Sequence, residues 1–288
     1  MKKAELEAIF NLLEDPDDFV YESIKNKLAD MGVEVIPFLE DLWEQTINPV
    51  LQRKIENIIH YIQFQQLKND FIDWKNSESN DLQLFSYLIS RYKYPDLDKV
   101  LFDKRILNIY RDIWIEINQN LTSIEKIQII NRIIYDYYDM GVDRKNFFDP
   151  SYFFLSHLLE SKKGNAMSIG MLYLILCEKL NISVYGVDLP NFFILCYTDE
   201  EYIEISNIPD ENHVLFYINP FNKGLIFGRK AIEEFLQQSE IEPESRYFKP
   251  MSHLETASRY IKELAYSYKH TGDLQSYEEL IGLYKILF

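Results

Sequence analysis

The chain has 288 residues, 47% of them hydrophobic and 26% charged, a balance that excludes a disordered protein and allows a well-buried core in more than one module. Its 46 acidic and 30 basic residues leave a formal net charge of −16. That field argues against nucleic acid and anionic membrane surfaces, which need a basic patch, and the Lys/Arg clusters stay as short as Lys162-Lys163.

The opening MKKAELEAIF has two lysines, but Glu5, Glu7, Glu14 and Asp15 interrupt any apolar core behind them, so no secretory signal is expected. The longest apolar run, residues 171–177, is too short to span a bilayer. Cys177 and Cys196 lie in apolar helix and strand patterns and read as buried, reduced thiols, which makes a cytoplasmic protein the expectation.

Residues 1–80 read as amphipathic helices. Leu6, Ile9, Phe10 and Leu13 follow helical spacing, and Asp15-Pro16-Asp17 is a turn and N-cap signal. Val20, Ile24 and Leu28 line the next helix, which ends at Met31-Gly32. A third begins near Pro37, and Asn48-Pro49 repeats the turn signal before Val50, Leu51, Ile55, Ile58 and Ile59. The recurrence of an Asp/Asn-Pro turn before a helix, about one repeat length apart, resembles HEAT-type repeats, although a plain helical bundle fits the same pattern.

The polar stretch NSESND at 76–81 reads as a linker, opening a second region at 81–250. Its first part, 81–163, is mostly helical, over 84–92, 98–107 and 123–138, with Gly141 as a left-handed cap after the last of these. Asp149-Pro150-Ser151 then opens a helix through Leu159. A core of helix and sheet follows at 164–228. Residues 167–180 form a helix apolar on nearly every face, hence buried. Short runs rich in β-branched and aromatic residues follow at 183–187, 192–197, 202–205 and 214–218 and read as an antiparallel sheet. A helix at 230–238 returns over it. Residues 251–288 hold two helices joined at Thr271-Gly272-Asp273, a hairpin of tetratricopeptide type that needs an outside surface for its apolar face.

The runs GNAMSIGMLYLILCEKLNI, GVDLPNFFILCY and INPFNKG, in that order, resemble the SirB-type family of bacterial transglutaminase-like proteins. In that pattern a Gly-Asn turn opens the buried helix, a Leu-Pro-Gly-His-Phe stretch follows, and Asp-Pro-Phe-Asn-Gly ends the core. The resemblance implies an α+β fold with a transglutaminase-like, papain-like core, preceded by HEAT-like helices and followed by the tetratricopeptide-like hairpin. It also implies that the Cys nucleophile, His base and orienting Asp of the fold fall at Ala166, Phe192 and Asn219, with Asn191 in place of the motif glycine. The family commonly lacks the nucleophile and has been linked to regulatory roles.

Acyl transfer at such a site needs a thiolate favoured by a helix N-terminus, an imidazole to move its proton and a carboxylate to orient the imidazole. A methyl group, a phenyl ring and a carboxamide supply none of these, so no catalysis of the inherited kind is expected. Ser168, near the start of the same helix, is the candidate displaced nucleophile, and helix capping is its plain alternative. Cys177 lies about three turns into the helix and reads as core, and Cys196 would need His213 or His157 beside it. The five histidines show no metal-ligand spacing and no Gly-rich phosphate loop is present, so neither metal nor cofactor is expected. A surviving pocket would be lined by Asn165, Ala166, Ser168, Phe192 and Asn219. The expected function is a non-catalytic scaffold or regulator that binds another protein. An amide hydrolase or transamidase with a displaced Ser or Cys nucleophile is the alternative, and a small-ligand sensor a third reading.

Overall fold

The computed structural model describes residues 9, 12–13, 15, 17–145, 148–199 and 210–287. These form two compact units, residues 1–73 and 74–288.

In the first unit, Asp17 caps helix α1 (Asp18–Asp30) by accepting the Phe19 amide at 2.8 Å, and Ile24 and Leu28 are its buried face. A 3₁₀ turn, Gly32–Val35, leads into α2 (Ile36–Gln45), with proline in its first turn. Asn48 Oδ1 then accepts the Val50 amide at 3.0 Å at the start of α3 (Pro49–Asn76). Leu28, Leu39, Ile55 and Ile58 are fully buried in one cluster. Of the first expected helix, Leu6 and Phe10 lie outside the described residues, while Ile9 and Leu13 belong to that cluster.

The division falls inside α3, ahead of the polar stretch at 76–81. Trp74 explains why: its ring packs on Phe85 at 5.3 Å and its indole N–H donates to the Asp81 carbonyl at 2.7 Å. The segments 81–250 and 251–288 share the second unit.

That unit begins with α4 (Leu82–Lys93) and α5 (Lys99–Trp114), capped by Asp81 and Asp98. Next comes α6 (Ser123–Asn131), opened by a capping box between Thr122 and Glu125 and continued by a π-helical turn, Arg132–Tyr137. Gly141 is not the cap of this segment: the left-handed residue is Asp139 (φ 51). Gly141 instead sits in strand β1 (Gly141–Val142), which pairs in parallel with β2 (Lys163–Gly164). The helix expected through Leu159 is interrupted at Phe154, whose extended backbone separates a 3₁₀ turn, Pro150–Phe153, from α7 (Leu155–Ser161).

Helix α8 (Ala166–Lys179) is buried on all sides from Met167 to Cys177. Four antiparallel strands follow in chain order: β3 (Val184–Leu189), β4 (Phe192–Thr198), β5 (Val214–Asn219) and β6 (Leu225–Phe227). The strand expected at 202–205 lies outside the described residues. Strand alternation divides the sheet. Val187, Ile194, Cys196 and Tyr217 face Ile232 and Leu236 of α9 (Arg229–Gln238). Phe193 faces α8, where a Cβ at Gly170 would lie 2.5 Å from its ring. Helices α10 (His253–Thr271) and α11 (Leu274–Leu287) close the unit, with Gly272 (φ 89) in the left-handed turn between them.

Candidate functional site

The first turn of α8 is fixed by reciprocal hydrogen bonds. Asn165 Oδ1 accepts the Ser168 amide at 2.9 Å, and Ser168 Oγ accepts the Asn165 amide at 3.0 Å. A Cβ at Gly164 would lie 2.4 Å from that same Oγ, so only glycine fits before the cap. Ser168 is fully buried and its hydroxyl, which also donates to the Asn165 carbonyl at 3.3 Å, is committed to the turn. It is the reciprocal partner of the Asn165 cap, and its hydroxyl is not exposed. Ala166 follows, half-buried at the first position of the helix.

Gly170, one turn further on, meets both Phe193 and Pro220. These are the chain neighbours of Phe192 and Asn219, so the start of α8, the start of β4 and the end of β5 gather at one end of the sheet. The turn after β5 is held there from α6 and its π-helical extension. Tyr135 donates to the Pro220 carbonyl at 3.1 Å, and Asn131 Nδ2 donates to the Gly224 carbonyl at 2.8 Å.

The side chains at this end divide between two faces. Phe192 pairs across the hairpin with Leu189 and packs edge-on against Phe235 of α9, with ring centroids 5.2 Å apart. Asn219 shares the face of Tyr217 by alternation, and its Oδ1 accepts the Asn222 amide at 3.2 Å. Asn165, Ala166 and Ser168 lie on the α8 side. The five positions named from the sequence are therefore near one sheet end but do not line one cleft. The ring facing the first turns of α8 is Phe193, which spacing alone passed over.

Both cysteines are buried free thiols. Burial pushes both the Cys177 and Cys196 thiols far up, and Cys196 is enclosed in the cluster under α9. His213 lies 3.0 Å from Asp210, and His157 packs edge-on to Tyr152 at 5.5 Å. Among the described residues no group of three His, Cys, Asp or Glu side chains is placed to hold a metal ion.

The hairpin that carries the Leu-Pro-Asn-Phe stretch is organised differently. Asn191 takes the left-handed conformation at its tip (φ 62), which asparagine tolerates nearly as readily as the glycine of the family pattern. The hairpin is clamped by Arg259 of α10. Its guanidinium reaches the carbonyls of Val187, Leu189 and Phe192 at 3.3, 3.1 and 2.9 Å, and the Asp188 carboxylate at 2.6 Å. Glu263 completes its partners at 3.1 Å. Beside this clamp lies a cavity of about 1050 Å³, bounded by the hairpin tip, one face of α10 and Tyr284 of α11. No local motif marks it, because its walls come from distant parts of the chain.

The chain belongs to the Transglutaminase-like superfamily, whose family model matches residues 102–262. It is similar to UPF0162 proteins of Xylella fastidiosa. With that of strain Temecula1 it is 24% identical over 166 residues, 56% of this chain and 55% of the relative. With the strain 9a5c protein it is 23% identical over 159 residues, 55% of this chain and 52% of the relative. A UPF0162 protein of Vibrio cholerae is 30% identical over 105 residues, 36% of this chain and 34% of the relative. The chain spans about half the length of the Xylella relatives it matches. No solved structure matches it. No helix among the described residues is long and apolar enough to cross a membrane.

Proposed function

We propose that the chain is a SirB-type, non-catalytic transglutaminase-like protein of the cytoplasm that acts by binding another protein. The observation that carries this reading is the make-up of the sheet end where the fold's acyl-transfer chemistry belongs. Ala166 stands at the start of the buried helix, Phe193 faces it, Phe192 is turned to α9, and Asn219 is engaged with its own turn. None of these groups takes up or returns a proton at neutral pH. The commitment of the Ser168 hydroxyl to its cap, and the burial of both thiols, weigh against a displaced nucleophile.

Binding is served by the flanking helices, HEAT-like before the core and a tetratricopeptide-like hairpin, α10 and α11, after it. In-cell crosslinking followed by capture of the full chain tests the reading: a reproducible protein partner is expected, with no turnover of glutaminyl peptides. Turnover that vanishes in Ser168→Ala, Cys177→Ala or Cys196→Ala overturns it.

A further inference from the structure

We propose that the cavity beside the β3–β4 hairpin binds an extended acidic peptide segment of a partner protein. This rests on the reading above, that the chain acts by binding another protein, and names the chemistry of what it binds.

The shape of the cavity favours a peptide. Its lining residues on α10 run from Glu255 to His270 at helical spacing. At about 1.5 Å per residue that is roughly 22 Å of trough, the reach of about six or seven residues of extended chain. The walls are mainly apolar, with Leu189 and Pro190 at the hairpin end and Phe148 stacked on His270, 3.9 Å between centroids, at the other.

Charge supplies the polarity. In a chain of net charge −16, the lining carries five Lys or Arg side chains against three Asp or Glu. Arg259 and Arg246 are engaged by Asp188, Glu263 and Glu244. Lys249, Lys262 and Lys269 are exposed and have no acidic partner at ion-pair distance among the described residues. A row of unneutralised ammonium groups along an apolar trough complements carboxylates on alternate residues of a strand, whose other side chains then meet the aromatic walls.

A second, independent observation comes from Ser258. It lines the cavity, is only 3% exposed, and its hydroxyl has no hydrogen-bond partner. A buried hydroxyl left unpaired is costly, and a bound main-chain carbonyl or amide would satisfy it.

The test uses the full chain and two pools of seven-residue peptides. Both carry random apolar residues at odd positions; one has Glu at the three even positions, the other Lys. Retention of the Glu pool over the Lys pool is expected, and a fluorescein-labelled retained sequence is then titrated by anisotropy. Lys249→Glu/Lys262→Glu, both on the surface, is expected to weaken that sequence by about tenfold or more, because rim charges contribute through complementarity. Ser258→Ala, which fills no space and exposes nothing, is expected to weaken it severalfold with unchanged salt dependence. Equal retention of the two pools, or a Kd unmoved by the double charge reversal, overturns the proposal. A crosslinked partner found in cells alongside either of those results leaves the binding reading standing and sinks only the acidic-peptide site. Cleavage of a retained peptide, seen by mass spectrometry, sinks the non-catalytic reading while leaving the site.

Discussion

Gly170 decides whether α8 and the start of β4 are packed as described, because its substitution sets two physical effects against each other. In an exposed helix interior, replacing glycine by alanine stabilises by about 1 kcal/mol through propensity. At Gly170 the added methyl would lie 2.5 and 2.8 Å from two ring atoms of Phe193 and 3.4 Å from Pro220. The ring is 4% exposed and its far edge already lies 3.2 Å from where a Cβ at Gly186 would stand, so it fills a slot between two glycines and has little room to retreat. Overpacking of this kind costs roughly 1–3 kcal/mol. The expected net result for Gly170→Ala is a loss of up to about 2 kcal/mol, hence a Tm lower by up to roughly 8 °C at about 2–4 °C per kcal/mol for a unit of this size. Gly282→Ala is the matched control. It lies inside α11 with nothing within 4 Å of the added methyl, and is expected to raise Tm. Thermal melts by far-UV circular dichroism, with urea titrations for the free energies, read both. A Gly170→Ala protein as stabilised as Gly282→Ala would refute the slot, and with it the placement of Phe193 against α8. Shortening the ring in Gly170→Ala/Phe193→Leu should recover part of the loss, a coupling that independent sites do not show.

Gly224→Ala meets both a left-handed backbone (φ 69) and the Asn131 carboxamide, and is expected to cost about 2–4 kcal/mol by thermal melt. Gly272→Ala has the same backbone problem (φ 89) in open space, so its loss should stay near 1–2 kcal/mol; equal losses would deny the Asn131 contact. Ser168→Ala takes from the buried Asn165 amide its Oγ acceptor and should lower stability by about 1 kcal/mol; a variant of unchanged stability would contradict the capping box. Alkaline pH should destabilise the second unit. Burial pushes the phenols of Tyr135, Tyr173 and Tyr260 and the Cys177 thiol above their ordinary values of 10.0 and 9.0. Below those values neither state ionises and nothing is lost. Above them only the unfolded chain releases its protons, so stability falls as pH rises past about 9–10. A Tm constant from pH 8 to 11 would rule out these buried groups.

What the sequence made legible, and what it hid, divides along physical lines. Helices with polar caps were readable, because Asp17 and Asp98 stand where chain-local hydrogen bonding puts them. So was the buried helix, since a run with no polar face has nowhere to lie but inside. The three-residue strand β6 was not, being too short to show a period. The cavity was invisible for a different reason: Asn191, Lys249, Ser258 and Lys269 come together only through tertiary folding, and an unpaired hydroxyl has no signature in one dimension. The site itself failed on parity. In Phe192-Phe193-Ile194-Leu195-Cys196 both faces of β4 are apolar, because α8 covers one and α9 the other, so the alternation that normally assigns strand faces is absent. Motif spacing then selects Phe192 for the imidazole position, while the packing turns Phe193 toward the helix. A one-residue shift is also a change of face, which is why two adjacent phenylalanines, identical to any reading of residue type, have unrelated surroundings: one is 43% exposed on α9, the other 4% exposed in a glycine slot against α8.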